Sequence, residues 1–425
     1  MTDVRVLAIG LALAGFGFAT SAQALDAPHT LRHTKLPERH LIVPHRSSGH
    51  RSAANHAQAK TSSARSKTAS AQRNAPAAVR RASLKAGRHR WHERFTASSF
   101  ASSDIFGGDV TAGEDPIVRQ AALDALGDMN GTAVVINPDN GRILAMVNQK
   151  LALSPGAEPC STIKLSVALA ALSEGLVTRD TPVQLAGFRM KMTDALAHSN
   201  NLYFEELGRE LGFDRVRHYA TQFGLGELAG YHIDGEQLGV YPDQEIPAAE
   251  GGVARMCSFG QGVSLTPLQL GAFVSAIANG GTLYYLQHPT TQEEAANLEP
   301  KIKRTLDIAR YVPDLQDGMA GAVEYGTARS LRVNFNELPV FGKTGTCSDK
   351  GTRFGWFASY SDSPQGSLVT VFFLEGGRPT FGPRAAELTG EFYRNLWDHN
   401  YFADKTQQTA EVAPAAPAAL QTGAQ

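Results

Sequence analysis

A serine and a lysine three residues apart, Ser161 and Lys164, stand where a loop rich in Pro and Gly (Ser154, Pro155, Gly156, Pro159) gives way to an Ala/Leu/Val-rich run ending near Gly175. The loop resists regular structure and the run reads as a helix, so Ser161 falls at a helix start with Lys164 on the same face. A hydroxyl there is a nucleophile whose proton a nearby amine can take. Unpaired backbone N–H groups at a helix start also favour developing negative charge. Alone, the pair reads as a helix-capping serine beside a solvated lysine. Two further motifs change that reading.

Ser199-Asn200-Asn201 and Lys343-Thr344-Gly345-Thr346 follow in order. By itself the first is a turn or cap, and the second is the end of a surface strand. The elements around them are legible. Ile117 to Leu126 is helical in pattern, and Thr132–Ile136 and Arg142–Val147 flank the turn-rich Asn137-Pro-Asp-Asn-Gly141, which reads as a β-hairpin. Met192–Leu228 is helical with breaks at Gly212 and Gly224, Pro267–Ala278 is a second long helix, and residues 302–330 read as mostly helical. Strands return at Val340–Thr346, Phe354–Tyr360 and Leu368–Leu374, and a closing helix spans Arg384–Trp397. Strands at both ends with helices between predict an α+β fold, an antiparallel sheet flanked by helices with an inserted helical subdomain.

The formal net charge of −1 conceals two opposed regions: residues 1–95 hold 16 Lys/Arg against 4 Asp/Glu, and the remainder 24 against 37. Residues 1–24 read as a secretory signal, with Arg5, an apolar run from Val6 to Phe18 and the small-x-small site Ala22-Gln23-Ala24. An uncleaved membrane anchor is the alternative, and either places the body outside the cytoplasm. Residues 25–110 read as a disordered basic tether with too few apolar residues for a core. Its irregularly spaced histidines, from His29 to His92, do not form a metal-site pattern. Weak contact with anionic cell-wall polymers or a membrane surface suits such a tether, and nucleic acid does not suit an exported chain. A catalytic domain over 111–403 follows, and the Ala/Pro/Gln/Thr-rich 404–425 reads as a disordered tail. Three cysteines exclude a disulfide scaffold.

From about Pro116 to Asn400 the chain resembles the transpeptidase domain of penicillin-binding proteins, especially the monofunctional type. The resemblance is carried by Ser161-x-x-Lys164, Ser199-x-Asn201 and Lys343-Thr344-Gly345-Thr346. Supporting blocks are Gly260-Gln261-Gly262, Thr266-Pro267-Leu268-Gln269, Ala278-Asn279-Gly280-Gly281, Gly326-Thr327-Ala328 and Trp356-Phe357. The resemblance implies a D,D-transpeptidase that forms an acyl-enzyme at Ser161 with a D-Ala-D-Ala stem peptide, needs no metal or cofactor, and is trapped by β-lactams. It implies that Lys164 is the base, that Ser199 relays a proton, and that Asn201 holds Lys164 and the substrate amide. Backbone N–H groups of Ser161 and Thr346 would stabilise the oxyanion. Lys343, Thr344 and Thr346 would bind the terminal carboxylate, and Gly345 would let the ligand backbone approach the strand. The folded N-terminal domain usual in such proteins is not legible here.

Three rivals stay open. A β-lactamase would need a water-activating Glu followed four residues later by Asn; Glu236 stands at a comparable distance, but residue 240 is Val. Transfer to water instead of an amine would make a D,D-carboxypeptidase. A non-catalytic β-lactam or peptidoglycan sensor could keep every motif residue. Cys160 and Cys347 flank motifs that the resemblance brings side by side. A bond between them, a bond involving Cys257, and three reduced thiols are all compatible with the sequence.

Overall fold

A computed structural model describes residues 96–403 except 364, 365 and 379. The expected signal, most of the tether and the tail lie outside the described residues. Helix α1 (Pro116–Leu126) is capped by Asp115, whose carboxylate accepts the Ile117 and Val118 N–H groups, and carries Pro at its first position. Strands β1 (Gly131–Ile136) and β2 (Ile143–Val147) form the expected hairpin. Helices α2 (Lys164–Ser173), α3 (Met192–Ala197), α4 (Asn201–Leu211), α5 (Phe213–Gln222), α6 (Gly252–Phe259), α7 (Pro267–Ala278) and α8 (Val312–Glu324) follow. The chain ends in strands β3 (Val340–Asp349), β4 (Thr352–Ser361) and β5 (Leu368–Gly376) and helix α9 (Gly382–Asp398).

The strands make one antiparallel sheet in the order β2-β1-β5-β4-β3. Its centre pairs β1 with β5, joining the two ends of the domain. Alternate side chains face opposite ways. Ala133, Val135, Phe357, Phe372 and Leu374 pack in one core with Val118 of α1 and Phe392 of α9. Val134, Ile136, Trp356, Val371 and Phe373 join the larger core with Leu165 and Leu169 of α2 and Leu270 and Phe273 of α7. Burial on both faces explains why β1 and β5 read as continuous apolar runs rather than alternating ones. The architecture is the expected α+β one, and no described helix is long and apolar enough to cross a membrane.

The fold departs from the sequence expectation at three places. Ile302–Thr305 is a strand, not helix, because it pairs with Thr282–Tyr284. The Met192–Leu228 helix breaks additionally at Ser199. Packing also reaches upstream of residue 111: Asp109 and Glu114 are almost fully buried, each 2.8 Å from the Arg119 guanidinium, and Glu114 also accepts the Met146 N–H.

Candidate active site

Ser161 lies in a short 3₁₀ turn, Cys160–Ile163, that runs directly into α2. Tight turns of this kind are common at helix N-termini. Lys164 opens α2 and is fully buried. The second motif is a helix junction whose three residues divide the work. Ser199 takes a left-handed φ of 54°, a conformation costing a non-glycine residue on the order of 1 kcal/mol. The Asn200 side-chain oxygen Oδ1 caps α4 by accepting the Tyr203 N–H at 3.0 Å. Asn201, the first residue of α4, aims its side chain at Lys164. The third motif lies on β3, the edge strand of the sheet.

The Lys164 Nζ is 3.0 Å from Ser161 Oγ, 2.8 Å from the Ser199 carbonyl, 3.1 Å from Ser199 Oγ and 2.6 Å from Asn201 Oδ1. Burial first, and then the Lys343 ammonium, hold its amine well below the usual lysine range, against an opposing pull from Glu205. A neutral amine has two N–H bonds and one lone pair. The Ser199 carbonyl and Asn201 Oδ1 only accept, so they take the two N–H bonds. The lone pair is left for a hydroxyl, and Ser161 offers one. The arrangement is competent to take a proton from Ser161.

Lys343 is fully buried, and burial pulls its pKa down to about 7. Its Nζ donates to Ser199 Oγ at 2.9 Å and to the Thr344 carbonyl at 3.0 Å. Ser199 Oγ therefore lies between the two lysine amines, a position suited to passing a proton.

The fold brings Ser161, Lys164, Ser199, Asn201 and Lys343 into one hydrogen-bonded cluster. The remaining residues of the third motif follow Lys343 along β3. Thr344 is buried, and its hydroxyl is 2.6 Å from that of Thr327. Thr346 is exposed and accepts the Gly382 N–H at 2.8 Å. Gly345 is small for an internal reason: a Cβ there would lie 2.8 Å from the Pro159 carbonyl oxygen and 3.1 Å from Thr162 Cγ2. Thr327 is the residue whose part went unassigned. Its block Gly326-Thr327-Ala328 was visible in the sequence, but its contact with Thr344 depends on how α8 packs on α3.

Glu236 is not placed as a hydrolytic base. Its carboxylate accepts the backbone N–H groups of Ala229 and Gly230, and among the described residues no hydrogen bond links it to the motifs. Cys160 and Cys347 are joined in a disulfide with a Cα separation of 5.5 Å. Cys257 is free and buried. Of the three cysteine states open in the sequence, this is the first.

The family model of the penicillin binding protein transpeptidase domain matches residues 131–394. The chain belongs to that family. This transpeptidase-domain protein is 28% identical over 316 residues to stage V sporulation protein D of Bacillus subtilis, covering 62% of this chain and 48% of that one. It is 25% identical over 366 residues to the peptidoglycan D,D-transpeptidase PbpA of Mycolicibacterium smegmatis, covering 70% and 73%. Penicillin-binding protein H of Bacillus subtilis matches at 26% over 53% of this chain and 39% of its own length. The chain thus spans about half or less of the two Bacillus relatives. Among solved structures, Pseudomonas aeruginosa PBP2 superposes with a TM-score of 0.57 at 21% identity, over 69% of this chain and 78% of that one. A peptidoglycan glycosyltransferase from Burkholderia ambifaria superposes at 0.57 and 19%, over 72% and 99%. At such identities these structures speak for the fold.

Proposed function

We propose that the protein is an exported, penicillin-sensitive D,D-transpeptidase acting on peptidoglycan stem peptides through an acyl-enzyme at Ser161. The observation that carries this reading is the position of the Lys164 amine, buried and depressed in pKa, 3.0 Å from Ser161 Oγ. Lys164 takes the Ser161 proton as Oγ attacks the carbonyl of the penultimate D-Ala. The Ser161 and Thr346 N–H groups hold the oxyanion, and Ser199 returns a proton to the departing D-Ala amine. Asn201 fixes Lys164, while Lys343 and the Thr346 hydroxyl receive the terminal carboxylate. Thr344 acts from behind, through Thr327. β-Lactams present the same carbonyl and carboxylate and acylate Ser161. The named activities of the relatives agree with this reading, as does their action on peptidoglycan, which lies outside the cytoplasm. Residues 1–24 as signal, the basic segment as a tether touching anionic wall or membrane surface, and 404–425 as a tail complete the proposal.

Fluorescent penicillin should label the protein covalently, with the mass of one adduct on the Ser161 peptide. Ser161→Ala should abolish labelling while leaving a cooperative thermal transition, and Lys164→Ala should slow acylation by orders of magnitude. The adduct should persist for many minutes, since Glu236 is occupied by backbone N–H groups. Rapid penicillin turnover would replace the transpeptidase with a β-lactamase, and labelling that survives Ser161→Ala would remove the site altogether. Mass spectrometry with a synthetic stem peptide, with and without an acceptor amine, separates transfer from hydrolysis.

A further inference from the structure

We infer that the Cys160–Cys347 disulfide is a positioning device for acyl transfer, setting the span between the two backbone donors that receive the oxyanion; this rests on the proposed role of Ser161. Cys160 immediately precedes Ser161, and Cys347 immediately follows Thr346. The N–H of Ser161 belongs to the peptide group that Cys160 begins, so fixing Cys160 fixes the plane carrying that donor. On the other side, Cys347 anchors an edge strand, whose outer flank no other strand of the sheet restrains. Between the two anchors, the Pro159 loop rests on Gly345, and its Glu158 carbonyl accepts the Trp356 Nε1–H of the neighbouring strand at 3.0 Å. The turn Cys160–Ile163 has Pro159 at its N-cap, with no side-chain cap, and its internal side-chain bond is the Thr162 hydroxyl donating to the Pro159 carbonyl at 2.7 Å.

The backbone of Cys160 supports the same reading. Its φ is 52°, in the left-handed region that favours glycine. A β-carbon at this place works against the turn, yet the chain carries one whose sulfur reaches strand β3. The bond closes a loop across 187 residues of sequence, linking turn and strand at the two sides of the place where the substrate carbonyl would sit. A placement error of about 1 Å at such donors costs on the order of a hundredfold in rate.

Reduction by a dithiol reverses the arrangement. The Cys160–Cys347 S–S bond breaks, each sulfur gains a proton, and the dithiol gives up two electrons and closes to its own disulfide. Turn and sheet are then held by packing and by the hydrogen bond from Trp356 Nε1 to the Glu158 carbonyl.

The experiment measures acylation by fluorescent penicillin over a concentration series, giving the limiting acylation rate and the half-saturating concentration separately. It uses oxidised protein, protein held reduced by dithiothreitol, the same protein reoxidised, Cys347→Ser, and the double variant Cys160→Gly with Cys347→Ser. Loss of the bond should lower the limiting rate at least tenfold while the half-saturating concentration stays within about threefold, because the donors act on the transition state. Reoxidation should restore the rate. The glycine variant should not recover it, although it removes the unfavourable β-carbon. An unchanged limiting rate in the reduced protein and in both variants overturns the inference. So does loss of the cooperative unfolding transition on reduction, which would make the bond a support of the fold alone. Absence of labelling at Ser161 in the oxidised protein would instead overturn the assignment of the nucleophile.

Discussion

Lys343 spends its life fully buried with the Ser199 hydroxyl and the Thr344 carbonyl as its hydrogen-bond partners, an environment that penalises its cation. The folded pKa is about 7, against roughly 10.4 in an unfolded chain. Between those values the unfolded state holds a proton that the folded state lacks, so this group makes stability rise with pH from about 7 to about 10. Below about 7 the folded state carries the buried charge, and the full cost, on the order of 4 kcal/mol, is present. Lys343→Met should therefore raise stability at neutral pH and flatten the pH dependence of urea denaturation across that window, while sharply reducing acylation. Loss of stability in that variant would show that the hydrogen bonds outweigh the burial. Catalysis should report the same two amines. The acylation efficiency should rise with pH as Lys164 loses its proton and fall as Lys343 loses its own near pH 7. Lys343→Arg should move the falling limb beyond pH 10. Most of the site residues were legible in the sequence because each short motif is nearly complete within a few positions. The partner of Thr344 and the reason for Gly345 were not, because both are set by which distant segment lies against β3.

Helices and strands were legible where local signals agreed. Pro267–Ala278 is bounded as read, with Thr266 and Gln269 closing a capping box at 3.1 and 3.0 Å. Ile302–Thr305 was not legible, because four residues carry too little pattern and the partner strand Thr282–Tyr284 lies well upstream. The junctions between elements govern the site. The turn after α8 must come close to the end of α3: a Cβ on Gly326 would lie 2.1 Å from the Ala197 carbonyl oxygen, and Thr327 N–H donates to that oxygen at 3.1 Å. Ala197 ends the helix that leads into Ser199. Gly326→Ala should push these elements apart, costing about 1–3 kcal/mol of stability and slowing penicillin acylation together with it. Urea denaturation and labelling rates measure both. A variant as stable and as fast as the wild type would show that the junction yields freely.

At the scale of the molecule, the domain depends on residues ahead of its first helix. Arg119 of α1 is satisfied by Asp109 and Glu114, and Glu114 also lies 3.0 Å from His288 Nε2. A fragment spanning residues 96–403 should keep a cooperative melt and penicillin labelling. One beginning at Pro116 loses both carboxylates and strands the guanidinium, and it should be less stable by roughly 3–5 kcal/mol. Equal melting temperatures would place the true boundary at α1. The segment's sequence is polar, and only the packed structure reveals that its charges are paired inside. The disulfide adds a restraint on the unfolded chain worth about 5 kcal/mol on the chain-entropy estimate. The pairing of β1 with β5 carries a further consequence, for the order of events during folding. The first hairpin is made early, but the strand that covers its apolar edge ends at Gly376. A chain emerging from its N-terminus must keep that edge unpaired until nearly the whole domain has appeared. Sheet closure across such a sequence distance makes folding slow, and the waiting edge is the point where immature chains would self-associate.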